Sequence, residues 1–269
     1  MIVLNLDDYI LLNDKNEKPL DNPVFDGGYC GILRKVAVVG DSLSSGEFQS
    51  ADENGEYYYH DMYDYSWGQF LARQAGIEVL NFSRGGMTAK EYCESFAEEN
   101  GFWDSEKRCQ AYIIALGVND IYNKRCELGC IDDICVEDYT KCKPTFYGCY
   151  GQIILRLKEI APNAKFFLMT TPKENCHDNN DELKLANAIK EIAKLFDRTY
   201  IIDLYEYAVT YDDEFKKKFF MYGHMDAVGY MLTAKMVASY IDYIIRHNLD
   251  DFKTIGYVNT DIKDVKYKL

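Results

Sequence analysis

The stretch Val36-Ala37-Val38-Val39-Gly40-Asp41-Ser42-Leu43 decides the fold of this chain. Its first four residues are short, apolar and continuous rather than alternating, which marks a strand buried on both faces of a parallel sheet. A glycine, an acid and a serine then force a tight exit from the carboxyl end of that strand. In open α/β sheets ligands and catalytic groups gather at that edge. Ser42 is therefore a candidate nucleophile with a structural address. Gly-Asp-Ser is also an ordinary turn, so its weight depends on what surrounds it.

Outward from this stretch the pattern alternates in βαβ fashion. It predicts strands over 35–40, 77–81, 111–116, 164–170 and 200–203, and helices over 66–75, 88–98, 147–160, 181–196 and 227–246. In the last helix Tyr230, Leu232, Met236, Val237, Tyr240, Ile241 and Ile244 recur at helical spacing, so one side packs on a sheet. Right-handed crossovers of these lengths give an α/β fold, a three-layer sandwich around a five-stranded, doubly wound parallel sheet. The organisation read from this is a leader over 1–34, one domain over 35–248 and a tail over 249–269. An apolar piece at 9–12 could add a strand or wrap the core.

Three segments exceed ordinary loop length: 47–65, 122–144 and 204–223. Long loops in compact domains are usually rims or lids of sites. The first carries Tyr57-Tyr58-Tyr59-His60 with Tyr63 and Tyr65. Exposed aromatics can stack on sugar rings, but packing of these rings onto the domain is the simpler expectation.

With 269 residues and 48% hydrophobic content, the chain can bury one large core. A net charge of −14 argues against nucleic acid and anionic membrane surfaces, which need basic patches. The start has no basic region followed by an apolar run, and no stretch reaches the roughly 20 apolar residues of a spanning helix. A soluble, cytoplasmic protein is expected. Of nine cysteines, five (Cys126, Cys130, Cys135, Cys142 and Cys149) share one segment, without a Cys-x-x-Cys pair or a nearby histidine. That spacing suits zinc poorly, and reduced thiols are the expectation. No metal and no cofactor are expected.

A serine nucleophile needs a base and donors for an oxyanion. Three further segments offer them. Asn81-Phe82-Ser83-Arg84-Gly85-Gly86-Met87-Thr88 follows the second strand, and its glycines let a backbone N–H point into the crevice. Leu116-Gly117-Val118-Asn119-Asp120 follows the third and offers a side-chain amide. Gly223-His224-Met225-Asp226 precedes the last helix and brings an imidazole to the same edge. Each has a plain structural alternative: helix–strand packing for the glycines, a helix cap for Asn119-Asp120, no special task for His224. Their common placement outweighs those alternatives.

In this set the chain resembles the SGNH, or GDSL-type, hydrolases, named for a serine, glycine, asparagine and histidine from separate blocks. Ser42 in Gly-Asp-Ser-Leu-Ser, Gly86 in Gly-Gly-Met-Thr and Asn119 in Gly-Val-Asn-Asp match three blocks. His224, five residues before Gly229-Tyr230, matches the fourth. The resemblance spans roughly 35–248. It implies a flavodoxin-like fold and a serine esterase of small acyl esters, its partner a small-molecule or carbohydrate ester. By analogy and from the aromatic-rich loop, acetyl groups on plant polysaccharides or sugars are the preferred substrate. Ser42 would attack the ester, His224 would act as base and then acid, and the N–H groups of Ser42 and Gly86 with the Asn119 amide would bind the oxyanion. Asp41 and Asp120 read as supporting groups. His60 and His177 are rival bases, but neither precedes a helix returning to the sheet.

One position departs from the family pattern. The acid usually three residues before the histidine is replaced by Met221. The expectation is a Ser42–His224 dyad, the imidazole Nδ1–H donating to a backbone carbonyl of 220–223. Asp226 reads as a helix cap, and Asp203 stands across a long loop. Two other functions fit parts of the pattern: a ligand-binding relative without turnover, and a thioesterase or lysophospholipase, which would need a long apolar groove.

Overall fold

The structure, a computed structural model, describes residues 16–174 and 179–260. The apolar piece at 9–12 and His177 lie outside them. In chain order the strands are β1 (Lys35–Gly40), β2 (Glu47–Ala51), β3 (Tyr57–Asp61), β4 (Glu78–Ser83), β5 (Ala111–Ala115), β6 (Lys165–Met169), β7 (Thr199–Ile202), β8 (Phe220–Met221) and β9 (His224–Met225). Five of them form one parallel sheet in the order β4-β1-β5-β6-β7.

Side-chain alternation explains the three layers. Val36, Val38, Ile113 and Phe167 join one buried cluster, whereas Ala37, Val39, Tyr112, Ile114, Phe166 and Leu168 join the other. Helices α2 (Trp67–Ala75) and α6 (Ala227–His247) cover the first face; α3 (Phe146–Ile160) and α4 (Asn179–Ala193) cover the second. The helices begin where the sequence offers side-chain acceptors. Ser66 Oγ accepts from Gln69 N–H, Thr145 Oγ1 from Gly148 N–H and Asp226 Oδ1 from Gly229 N–H.

After β1 the chain moves to the β4 side of the sheet, then returns past β1 to β5. Such a reversal opens a crevice at the carboxyl ends of the strands, where α/β sheets bind ligands. The turns after β1, β4 and β5 all meet there.

The long segments are more ordered than their composition suggests. Segment 47–65 contains an antiparallel hairpin, with Glu47 opposite Asp61, Gln49 opposite Tyr59 and Ala51 opposite Tyr57. Segment 204–223 contains helices Leu204–Tyr207 and α5 (Asp213–Phe219), then enters the β8–β9 hairpin. Segment 122–144 is braced by Asp133, whose carboxylate accepts from Cys130 N–H, Thr145 Oγ1 and Lys143 Nζ. The helix read over 88–98 is two short pieces, Ala89–Glu91 and Ala97–Glu99, joined by a π-helical turn at Tyr92–Phe96.

Residues before β1 pack on α6: Val24 N–H donates to Ser239 Oγ, and Tyr29 N–H to Asp242 Oδ1. A buried guanidinium joins them, Arg246 pairing bidentately with Glu17 and through Nε with Asp242. After α6, Phe252 and Ile255 are buried, and Ile255 C=O accepts from Gln110 Nε2. Among the described residues no helix is long and apolar enough to cross a membrane.

Candidate active site

Ser42 opens the one-turn helix α1 (Ser42–Ser45) directly after β1. Asp41 caps that helix, its Oδ1 accepting from Leu43 N–H at 3.1 Å. Its carboxyl is buried, and desolvation pushes it up to about 7. The first amides of a helix have no intrahelical partner, so the Ser42 N–H is available at the crevice. Ser44 and Ser45 are buried beneath the turn.

The two glycines after β4 serve different steric needs. Gly86 has φ +70°, the left-handed region that side chains other than glycine's rarely occupy. At Gly85 a Cβ would collide with Glu47 Oε2. Arg125 Nη1 donates to Gly86 C=O at 2.6 Å and holds this loop from the far side.

Asn119 lies in a second π-helical turn, Val118–Tyr122, a local expansion often found at functional sites. Its Nδ2 donates to Met87 C=O at 3.1 Å and its Oδ1 accepts from Asn123 Nδ2 at 2.9 Å. These contacts fix the amide and leave one Nδ2 hydrogen for a ligand. Asp120 is fully buried and accepts from Ala89 N–H with both oxygens, so it ties the Asn119 turn to the Gly86 loop. Burial pushes its carboxyl up to about 6.

His224 stands in β9, just before the Asp226 cap of α6. Its Nδ1 lies 3.4 Å from Gln49 Oε1, which also accepts from Gly223 N–H at 2.7 Å. Its Nε2 lies 3.1 Å from Glu47 Oε1. The expected backbone acceptor in 220–223 is therefore corrected: that segment gives a donor, Gly223 N–H, and the imidazole faces two side chains of β2. Met221 is exposed on β8. Asp226 caps α6. Asp203 caps Leu204–Tyr207, accepts from Thr170 Oγ1 and pairs with Lys190.

The tyrosine segment needs a correction too. Tyr63 packs on the domain, its hydroxyl donating to Val79 C=O, but the rings of β3 do not pack away: Tyr57 is 53% exposed, Tyr58 45% and Tyr59 59%. The hairpin places Glu47, Gln49, Tyr57 and Tyr59 on one face by the period-two rule. Tyr59 meets the His224 ring edge-on at 5.8 Å, and Tyr57 meets Tyr222 at 5.4 Å. His60 falls on the other face and hydrogen-bonds Ser50 Oγ through Nε2 at 2.8 Å.

Ser42, Gly86, Asn119 and His224, from four separate segments, line one cleft of about 700 Å³. Glu47, Tyr59, Asn123, Glu174, Lys216 and Tyr222 border it. Glu47, Gln49 and Tyr222 escaped the sequence reading, because 47–65 and 204–223 read as irregular loops. The missed signal is Asn54-Gly55 between two five-residue runs, a strong hairpin cue. Among the described residues no group of three or more His, Cys, Asp or Glu is placed to hold a metal, and the cysteines are unpaired.

This sheet order, with its turns converging on one cleft, defines the α/β fold of the SGNH hydrolases. The chain belongs to the GDSL-like lipase/acylhydrolase family, whose model matches residues 38–232, and is thereby a carboxylic ester hydrolase. No curated protein matches it by sequence. A family two carbohydrate esterase from Clostridium thermocellum, solved in complex with cellohexaose, has a similar structure. It aligns with TM-score 0.54 at 16% identity, over 81% of this chain and 65% of that one. A carbohydrate esterase family 2 enzyme with a carbohydrate-binding domain, from Corynascus thermopiles (Myceliophthora fergusii), gives 0.55 at 16%, over 79% and 66%. The lipase/acylhydrolase from Enterococcus faecalis gives 0.52 at 17%, over 78% and 96%. This chain thus spans about two thirds of each carbohydrate esterase. At these identities the likeness is one of fold.

Burial lowers the His224 pKa from its ordinary value, because desolvation disfavours the imidazolium. A histidine acting as base must be unprotonated, so if His224 takes that role, activity rises as pH climbs through its pKa. The acid limb of kcat/KM is expected to have its midpoint below the usual histidine value of about 6.5. A midpoint well above 6.5 would show that neighbouring charge outweighs burial.

Proposed function

We propose that this protein hydrolyses small acyl esters, acetyl esters above all, carried on carbohydrates, with Ser42 as nucleophile and His224 as general base. The convergence of Ser42, Gly86, Asn119 and His224 on one cleft carries this reading. Ser42 Oγ gives its proton to His224 Nε2 as its bond to the ester carbon forms. The carbonyl oxygen becomes an oxyanion, met by the N–H groups of Ser42 and Gly86 and the Asn119 amide. The carbon–oxygen bond to the alcohol breaks, and His224 protonates the leaving oxygen. Water then repeats the sequence on the acyl-serine and releases the acid.

Two features support the substrate class. An apolar pocket of about 40 Å³, lined by Trp67, Leu116, Met169 and Met225, shares Asp41, Leu43, Val118 and Glu174 with the cleft. Its apolar lining suits the methyl end of a short acyl group. On the alcohol side, Tyr59 and Tyr222 offer exposed ring faces. Tyr222 is held at φ +60°, a conformation that costs a residue with a Cβ roughly 1–2 kcal/mol. Strain of that kind collects at functional sites. The solved relatives named as carbohydrate esterases agree with this reading.

A panel of p-nitrophenyl acetate, butyrate and octanoate, run beside an acetylated oligosaccharide, tests it. The expected kcat/KM for acetate exceeds that for octanoate by about tenfold or more, since each methylene that cannot be seated matters. A preference for octanoate would favour a lipase or thioesterase. No turnover of any ester would favour a binding protein. Asn119→Ala is expected to lower kcat about 10²–10³-fold with little change in KM, the loss typical of one oxyanion donor. An effect confined to KM would make Asn119 a ground-state contact.

A further inference from the structure

We propose that Gln49 and Glu47, both on the strand that follows the nucleophile turn, together replace the acid missing at position 221 as positioning residues for His224. The inference rests on the esterase reading above and assigns a role to two residues outside the four matched blocks.

Gln49 is nearly fully buried, and the orientation of its amide is determined chemically. Gly223 N–H donates to it at 2.7 Å, so the atom there is the carbonyl oxygen and not the NH2. The same oxygen faces His224 Nδ1 at 3.4 Å, so the nitrogen best served there is a protonated one. An Nδ1–H tautomer leaves Nε2 with the lone pair that a base for Ser42 requires. Gln49 thus selects the tautomer without a charge.

Glu47 supplies the charge. Its Oε1 lies 3.1 Å from Nε2 and its Oε2 rests against Gly85. A carboxylate beside Nε2 stabilises the imidazolium that forms as Ser42 loses its proton; in the neutral ring it must turn from the Nε2 lone pair to let the Ser42 hydroxyl reach it. The surroundings set how much charge Glu47 carries. Asp61 stands opposite it on β3, and desolvation, then Asp61, raises the Glu47 pKa. Asp41 lies near enough for their charges to disfavour each other. Tyr230 donates to the Glu47 backbone carbonyl, and Tyr59 meets the imidazole edge-on. Across the cleft Lys216 pairs with Glu174. Burial alone disfavours both charged forms, and their contact offsets part of that cost.

Opposite shifts of the pH profile test the assignment. Glu47→Gln removes the anion beside the imidazolium, so the acid limb of kcat/KM should move to lower pH by about one unit. Gln49→Glu adds an anion at Nδ1, so the limb should move to higher pH by a similar amount with activity retained. Gln49→Leu should lower kcat about tenfold or more, short of the roughly 10⁴ lost when a triad loses its acid, with KM little changed. A general loosening of the hairpin would not shift the limb in opposite directions. Circular dichroism of each variant checks folding, and Gln49→Glu provides rescue at the same position if Gln49→Leu unfolds. A wild-type limb that neither charge change moves, with Gln49→Leu within about threefold of wild type, overturns the inference. Ser42→Ala is run alongside: if ester turnover survives it, the esterase reading itself has failed.

Discussion

Ser42→Ala is expected to lower kcat by about six orders of magnitude, the loss seen when the nucleophile of a serine hydrolase is removed. The fold should tolerate the change. Asp41, not Ser42, caps the short helix, and the bond from Ser45 Oγ reaches the Ser42 backbone carbonyl, which alanine keeps. Chemical activity and thermal stability should therefore separate cleanly. Full activity in a folded Ser42→Ala protein would reject Ser42 as nucleophile.

His224→Ala is expected to cost a comparable factor, since nucleophile and base act as one unit. Comparison with two aspartates makes this informative. Asp226 caps α6 and Asp203 caps Leu204–Tyr207, so alanine at either should cost roughly 1 kcal/mol of stability. Each is already committed to backbone donors or to Lys190 and Thr170, away from the imidazole. Activity in Asp226→Ala and Asp203→Ala should stay within about tenfold of wild type. A loss near 10⁴ in either, with the protein folded, would establish a displaced triad.

Much of the fold was legible because its strands are buried on both faces. Val36-Ala37-Val38-Val39 and Ala111-Tyr112-Ile113-Ile114 have no polar face to confuse the reading, and each ends at a glycine-containing turn. The caps Ser66, Thr145 and Asp226 place helix starts within a residue or two of where the pattern put them. The cleft residues were legible for a related reason: each is tied to a strand end or a helix start, so its position follows from topology.

The hairpin was not legible in the same way. Its exposed tyrosines lack the alternation that a buried face imposes, and only Asn54-Gly55 announced the turn. Gln49 and Glu47 are separated from His224 by about 175 residues, and that pairing depends on how an inserted hairpin leans over the sheet edge. Met221 marked the missing acid, but nothing in its own segment said what stands in for it. A local motif shows which group is absent; the compensating contact comes from tertiary packing.

The central claim is that Ser42 is the one activated hydroxyl of this chain. The most direct measurement is reaction with a fluorophosphonate followed by peptide mass spectrometry. A single adduct on Ser42, formed with a rate that falls on His224→Ala, is the expected result. An adduct on Ser44, Ser45 or any other residue, or undiminished labelling of Ser42→Ala, would contradict it.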